Sequence, residues 1–376
     1  MRFYLKEYIP PCFDEPRLMN APDAALAPAP LDGTAPKEYH STTIFPEYFR
    51  VDGKWLLARE SRMDCVAVYE QGEIFVREFR KLKKGDLVFI GRAEDGSQGI
   101  FVHPHGFDEP SGEGAAGVTG GAGGSGGDSF IFRQGRSRET AFSMDYDFLY
   151  EQLRFEKENG YIVWVAGPAC TFDADSRNAF SSLCEHGYVQ ALLAGNALAV
   201  HDLEGAYKKS ALGQDLYTRA RYPNGHYNHL DTINRVRECG SIPAFIEQER
   251  IRDGIMYQCV KQGIPYVLTG SIRDDGPLPE VFADVYAGQE AMRRHISRAT
   301  TLICMATTLH SIAAGNMAPS FRVLPSGVIR PVYFYLVDIS EFSANKLSDR
   351  GSLLAKSIIT NVQDFIVHTN KNLVPA

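Results

Sequence analysis

Hydrophobic and polar residues follow two different rhythms along this chain, and the rhythm changes near residue 140. Between residues 43 and 103 apolar positions recur at every second residue in short runs. Strand side chains point alternately to opposite faces, so this period predicts half-buried β-strands. FRVDGKWLLA sets Asp52-Gly53 between two such runs, and CVAVYEQGEIFVREF does the same with Gln71-Gly72. Both read as β-hairpins, because tight hairpin turns favour Gly after a residue that tolerates positive φ. KKGDLVFIG and GIFVHP add further short strands. Residues 38–110 are expected to form a small, mostly β domain. Residues 1–37, rich in Ala and Pro from residue 20 on, predict an extended, poorly ordered lead-in. Residues 111–128 predict a flexible loop or linker, since nine of the sixteen residues 112–127 are glycine.

Beyond residue 140 unbroken apolar runs alternate with helix-like stretches. YIVWVAGPA (161–169), the buried run within YVQALLAGNALA (188–199), PYVLTGS, TTLICMATTLH, VYFYLVDIS and SIITNV predict six strands. Helices are expected at 146–159, 176–186, 227–239, 244–262 and 279–297, with short ones between the last three strands. Fully apolar strands alternating with helices imply a parallel sheet covered on both faces. The fold class expected for residues 129–376 is α/β: a Rossmann-like, doubly wound parallel sheet, preceded by the small, mostly β domain.

In such a sheet ligands bind beyond the carboxyl ends of the strands. The predicted strand ends carry Gly167-Pro168-Ala169, Gly195-Asn196, Gly270-Ser271, Thr307, Asp338 and Asn361. Small residues let a ligand approach the backbone, and helix N-termini suit phosphate. An acid at a strand end, such as Asp338, suits the two hydroxyls of a ribose. These residues are the expected dinucleotide contacts, although GxGxxG is absent; ordinary tight turns would use the same residue types. One strand end stands out. TGSIRDDGPLPEVFADV places Arg273, Asp274 and Asp275 together after a buried run. Asp274 or Asp275 suits a substrate ammonium or a base, and Arg273 suits a carboxylate. His201, Asp202 and His310 are candidates for proton transfer, since histidine titrates near neutral pH. His226 and His229 have helical spacing, but no third ligand has a recognisable spacing, so no metal is expected. Gly-x-Ser-x-Gly does not occur, which removes the nucleophile elbow of an α/β-hydrolase.

The 376 residues are enough for two domains, with 44% hydrophobic and 23% charged residues, as in soluble proteins. A net charge of −7 gives no basic footprint for nucleic acid. No apolar run is long enough for a membrane span, and no signal peptide is evident. The seven cysteines are scattered and never spaced as CxxC, which points to a reduced, cytoplasmic protein.

The chain resembles the archaeal-type ornithine cyclodeaminase family, long labelled as the LOR/SDH conserved region. The same module is similar to the C-terminal half of cyanobacterial arginine dihydrolase fusion proteins. The matching segments are YHSTT, KKGDLVFIG (83–91), VAGPA (165–169), GYVQALLAGNALAVHDLE (187–204), NRVRECGSI (234–242) and DGIMYQCV (253–260). They continue in GSIRDDGPLPEVFADV (270–285), LHSIAAGNMAPS (309–320) and VDIS with KLSDRGS (337–352). The resemblance implies an NAD cofactor and conversion of L-ornithine to L-proline and ammonia. Hydride would leave the α-carbon, the δ-amine would close the ring as ammonia departs, and hydride would return. It also implies a small amino-acid substrate and a homo-oligomer. Ser41, Thr42 and Thr43 of the β domain and Asn316 would join Arg273 in holding that substrate. Departures from the family pattern fall at CTFDADSRN after VAGPA, at GHYNH (225–229) and at KSALG (209–213). They leave two further readings open: a saccharopine- or opine-type dehydrogenase, and a non-catalytic NAD sensor.

Overall fold

A computed structural model describes residues 3–107, 143–274, 276–341 and 353–375. The expected Gly-rich segment 111–128 and Asp275 lie outside the described residues.

The β unit contains strands β1 (Ala25–Pro28), β2 (Glu47–Val51), β3 (Lys54–Leu57), β4 (Val66–Glu70), β5 (Glu73–Arg77), β6 (Leu87–Ile90) and β7 (Ile100–Val102). They form two antiparallel sheets, ordered β1-β6-β4-β5 and β3-β2-β7. Both sequence-read hairpins are present. Asp52 and Gly53 have φ of 48° and 76°, and Gln71 and Gly72 have 53° and 85°. Two successive positive φ values match the twist of the flanking strands. Phe49, Ile74, Phe89 and Ile100 fill the core of this unit. The lead-in differs from expectation. Pro16–Met19 forms a short helix, α1, and β1 pairs with β6 along its whole length. Pro28 is tolerated there because β1 is an edge strand, where a missing N–H costs no ladder bond.

The second unit begins with helix α2 (Ser143–Asn159) and is built on six strands. These are β8 (Ile162–Ala166), β9 (Ala191–Gly195), then, past a small hairpin of β10 (Ser210–Ala211) and β11 (Gln214–Asp215), β12 (Tyr266–Thr269) and β13 (Thr301–Met305). A second hairpin, β14 (Phe321–Val323) and β15 (Ile329–Pro331), precedes β16 (Tyr333–Asp338) and β17 (Leu354–Ile359). The large sheet is parallel throughout, in the order β12-β9-β8-β13-β16-β17. In sequence order its strands run 3-2-1-4-5-6, the arrangement of a dinucleotide-binding doubly wound sheet. Every residue of β8 and β13 is buried, because helices cover both faces. Trp164 at the centre of β8 donates its indole N–H to the Tyr188 carbonyl at 2.8 Å, so its polar atom is not stranded.

The remaining helices are α3 (Ala174–Glu185), α4 (Asn196–Lys208), α5 (Tyr227–Cys239), α6 (Ile242–Gln248), α7 (Ile255–Gln262), α8 (Val285–Ile296), α9 (Thr308–Met317) and α10 (Val362–Leu373). Two helix readings are corrected. The stretch 244–262 is two helices, interrupted at Gly254 with φ 112°. The helix read from 279 starts only at Val285, because Phe282 bridges to Thr269 beside β12 and Asp284 caps the helix. α3 packs on α7 and α10, and α8 packs on α9.

The β unit docks against α8 through charge. Glu78 lies between Arg62 and Arg293, Lys81 meets Glu290 at 2.7 Å, and Arg80 stacks over Tyr286 at 5.2 Å. Below α9, Ser320 N–H donates to the Ser61 carbonyl at 3.0 Å.

Candidate functional site

The strand order reverses between β8 and β13, and a doubly wound sheet has its ligand crevice at the carboxyl edge of that point. The two strand ends are locked together: Gly167 N–H donates to the Met305 carbonyl at 2.9 Å. A Cβ at 167 would stand 1.9 Å from the Ala306 carbonyl oxygen, so only glycine fits. Pro168–Thr171 then forms a 3₁₀ turn before Asp173 caps α3. Cys170, fully buried in that turn, has its thiol pushed well up by burial, which makes it an inert packing group.

His310 spans the crevice floor. Its Nε2 lies 2.8 Å from Thr269 Oγ1 at the end of β12, and its Nδ1 lies 3.2 Å from Thr307 Oγ1 at the start of α9. Its Cε1 comes within 3.0 Å of where a Cβ at Gly195 would stand, at the end of β9. One ring therefore touches three strand ends. Burial pulls the imidazole below its usual range, and the negative charge of Asp274 opposes that shift. At neutral pH the ring is uncharged. Thr269 was not singled out in the sequence, although it adjoins the named Gly270.

The loop after β12 carries the acidic cluster. Asp274 Oδ2 accepts from Ser271 N–H at 2.8 Å, and Ser271 Oγ accepts from Arg273 N–H at 3.1 Å. Gly270 N–H donates to the Phe282 carbonyl. These bonds fix the backbone while the Arg273 side chain remains exposed.

Helix α4 corrects the sequence reading. Asp202 is completely buried and accepts from Arg177 Nε at 2.8 Å, from Ile255 N–H at 3.0 Å and from Met256 N–H at 2.7 Å. It anchors Arg177 and starts α7, roles that hold both of its oxygens in place. Its neighbour Glu204, passed over in the sequence, pairs with His201 instead, Oε2 to Nδ1 at 3.0 Å. Their i,i+3 spacing within HDLE was the available signal. Phe172, in the loop leaving β8, lies edge-on to His201 with ring centroids 5.4 Å apart.

Several other named residues are held by ordinary structure. Asn196 is buried and accepts from Leu278 N–H at 3.0 Å, tying the loop after β12 to α4. Asn361 caps α10 through Gln363 N–H at 2.8 Å. Asp338 accepts from Ser340 N–H at 2.8 Å. It ends the fifth strand in sequence, whereas the ribose-binding acid of this fold follows the second. Thr42 is buried and donates to the Arg62 carbonyl at 2.6 Å, and Thr43 donates to Glu47 at 2.7 Å. Ser41 bridges to Val66. The Ser41–Thr43 segment runs next to Ile44, whose carbonyl accepts from Ser320 Oγ beyond the far end of α9. Asn316 is exposed on α9, about 9 Å along the helix from His310 at 1.5 Å per residue.

The residues fit a dinucleotide. Gly167 and Gly195 let the strand ends and His310 pack closely, and α4 and α9 both start at this edge without a side-chain cap, leaving N–H donors for phosphate. Among the described residues no group of three His, Cys, Asp or Glu side chains is placed to hold a metal ion. No helix among them is long and apolar enough to cross a membrane.

Sheet order, glycine cradle and uncapped helix starts together define a Rossmann-type nucleotide-binding protein. Comparison with known proteins sharpens this. The family described as arginine dihydrolase ArgZ-like, C-terminal, Rossmann fold, matches residues 149–369. Ornithine cyclodeaminase of Methanopyrus kandleri is 35% identical over 94% of this chain and 79% of its own length. A LOR/SDH protein from Methanococcus maripaludis S2 superposes with a TM-score of 0.81 at 34% identity, covering 94% of this chain and 98% of that one. The ternary complex of AgrE with ornithine and NAD+ matches at 31% identity with a TM-score of 0.56, over 94% of this chain and 46% of AgrE. The chain belongs to the ArgZ-like C-terminal family, together with the archaeal ornithine cyclodeaminases.

Proposed function

We propose that this protein is an ornithine cyclodeaminase, an NAD-dependent ammonia-lyase that forms L-proline and ammonia from L-ornithine. The observation that carries the reading is His310, uncharged and seated across the ends of β9, β12 and β13, at the crevice where family relatives are named for this reaction. When bound, NAD+ supplies a hydride acceptor that later gives the hydride back.

The protein's own groups orient the substrate and manage protons. Gly167, Pro168, Ala169, Gly195, Gly270, Ser271 and Thr307 surround the crevice as the cofactor-contact set. Asp274 faces a substrate ammonium, and the exposed Arg273 side chain suits the carboxylate. His310, anchored by Thr269 and Thr307, is positioned to hold or release a proton within the crevice. Asn196, Asp202 and Asn361 act structurally, and Ser41, Thr42 and Thr43 are left out of the substrate set. We assign the protein to the cytoplasm and to a homo-oligomer.

Isotope-labelled L-ornithine with a trace of NAD+ tests the reading, with products read by mass spectrometry. Labelled proline in excess of the NAD+ supplied is expected. Stoichiometric NADH with an oxidised product would establish the dehydrogenase reading instead. No turnover with NAD+ still bound would establish a sensor.

A further inference from the structure

The fully buried carboxylate of Glu204 holds two partners at once. Oε2 lies 3.0 Å from His201 Nδ1, and Oε1 accepts from Ser210 Oγ at 2.8 Å. Ser210 in turn accepts from Asn228 Nδ2 at 2.8 Å. The chain Asn228–Ser210–Glu204–His201 thus links α5, the β10–β11 hairpin and α4. A carboxylate that only accepts pairs with the tautomer of His201 that carries its hydrogen on Nδ1. That leaves Nε2 as the lone-pair nitrogen, and it has no hydrogen-bond partner among the described residues. The ring is 13% exposed, bordered by Phe172 at 5.4 Å and by His229 at 6.1 Å between centroids. It stands about 9 Å along α4 from Gly195, at 1.5 Å per residue, beneath the loop that leaves β8.

A purely structural staple between α4 and the hairpin would not need an imidazole. Asp202, two residues earlier on the same helix, shows what a structural carboxylate looks like here: every partner is a fixed guanidinium or backbone donor. Glu204 instead orients a titratable ring whose second nitrogen is open. Carboxylate, imidazole and open nitrogen are the parts of a general acid–base unit in which the acid fixes tautomer and orientation.

We propose that Glu204, Ser210 and Asn228 are positioning residues that fix His201 as its Nδ1–H tautomer for proton transfer in the ring-closing step. The inference rests on the cyclodeaminase reading above. Nε2 takes the proton that the substrate δ-ammonium must shed before its nitrogen bonds to the oxidised α-carbon. It gives that proton to the α-nitrogen as the bond from that nitrogen to the α-carbon breaks and ammonia leaves. The ring nitrogen, a secondary ammonium once bonded, sheds its second proton to solvent, and the lone pair so freed expels ammonia and leaves the cyclic iminium; no further reductant or oxidant enters the step.

Two readouts on the full-length protein with NAD+ test this. The ¹⁵N shifts of His201, assigned by comparison with His201→Gln, report its tautomer without any substrate. The wild type should show Nδ1–H alone, and Glu204→Gln a mixture, because the new amide can also donate to Nδ1. In ornithine turnover, Glu204→Gln should lower kcat by about 100-fold or more with KM nearly unchanged, the scale of acid–base assistance. His201→Gln should lose a similar factor, and the double variant no more than the worse single, as expected for groups acting as one unit. An Nε2–H tautomer in the wild type would overturn the proposal. So would a kcat in Glu204→Gln equal to that of the wild type, or losses in the two single variants that multiply in the double. If the wild type makes no proline from ornithine, the cyclodeaminase reading fails, while the tautomer measurement still decides whether the chain positions His201.

Discussion

The two edges of the parallel sheet use polar residues in opposite ways. At the amino edge, buried Glu156 accepts from Thr300 Oγ1 at 2.6 Å and from Arg330 Nη2 at 2.5 Å. Arg330 also donates to the Asn159 carbonyl, and Thr300 Oγ1 accepts from Tyr161 N–H. Donors and acceptors there bind each other across α2, β8, β13 and the β14–β15 hairpin. At the carboxyl edge, His310 is held by two threonine hydroxyls, α4 and α9 start without a side-chain cap, and Arg273 faces solvent. Charges that complete each other make a fixed joint. Polar groups held in place without a charge partner make a site that a ligand can complete.

That contrast makes separable predictions. Removing the centre of the carboxyl edge should hurt activity most. His310→Ala is expected to reduce kcat by about 10²–10⁴-fold, the range of a lost acid–base group, with little change in thermal stability. Steady-state kinetics beside a melting curve checks both halves. Removing the centre of the amino edge should do the reverse. Glu156→Ala strands the Arg330 guanidinium in the interior, which costs about 3–5 kcal/mol of stability in denaturant titration. The fraction that remains folded should turn over normally; a proportional loss of kcat would erase the distinction between the edges.

Gly167→Ala falls between the two. Its Cβ must push the β8 and β13 ends apart, an overpacking cost of about 1–3 kcal/mol. NAD+ affinity measured by calorimetry should fall in the same variant, because the clash is at the crevice itself.

The smallest effect is in pH dependence. Burial holds His310 below the value of about 6.5 that it has when unfolded. The unfolded chain therefore binds this proton first as pH drops. The associated stability is fully present above about pH 6.5 and is lost as pH falls through the native value. The unfolding free energy of wild type minus that of His310→Gln should be flat above that pH and decline below it. A rise on acidification would mean that the ring is charged in the native state.

The sequence pattern made the architecture legible because both rhythms are strong. Fully apolar strands marked the parallel sheet, and Asp52-Gly53 and Gln71-Gly72 marked hairpins whose turns need positive φ. The Ala/Pro-rich lead-in hid β1, since an edge strand tolerates a composition that a central strand does not. Candidate residues can be named from sequence where chemistry and strand end coincide, as at Gly167, Gly195 and His310. Sequence does not reveal where an acid serves a distant partner. Asp202 binds Arg177 and the start of α7, tens of residues away in both directions, and no local spacing announces that. Asn361 and Asn196 fell to the same cause, since cap and loop-tie roles use the residue types that a ligand site would use.

The most direct test of the central claim follows one hydrogen. L-ornithine deuterated at the α-carbon is converted under catalytic NAD+, and the position of deuterium in the product is read by NMR. The account predicts proline that retains deuterium at its α-carbon, because the hydride that leaves that carbon returns to it. Proline carrying solvent hydrogen there, or no proline at all, would contradict it.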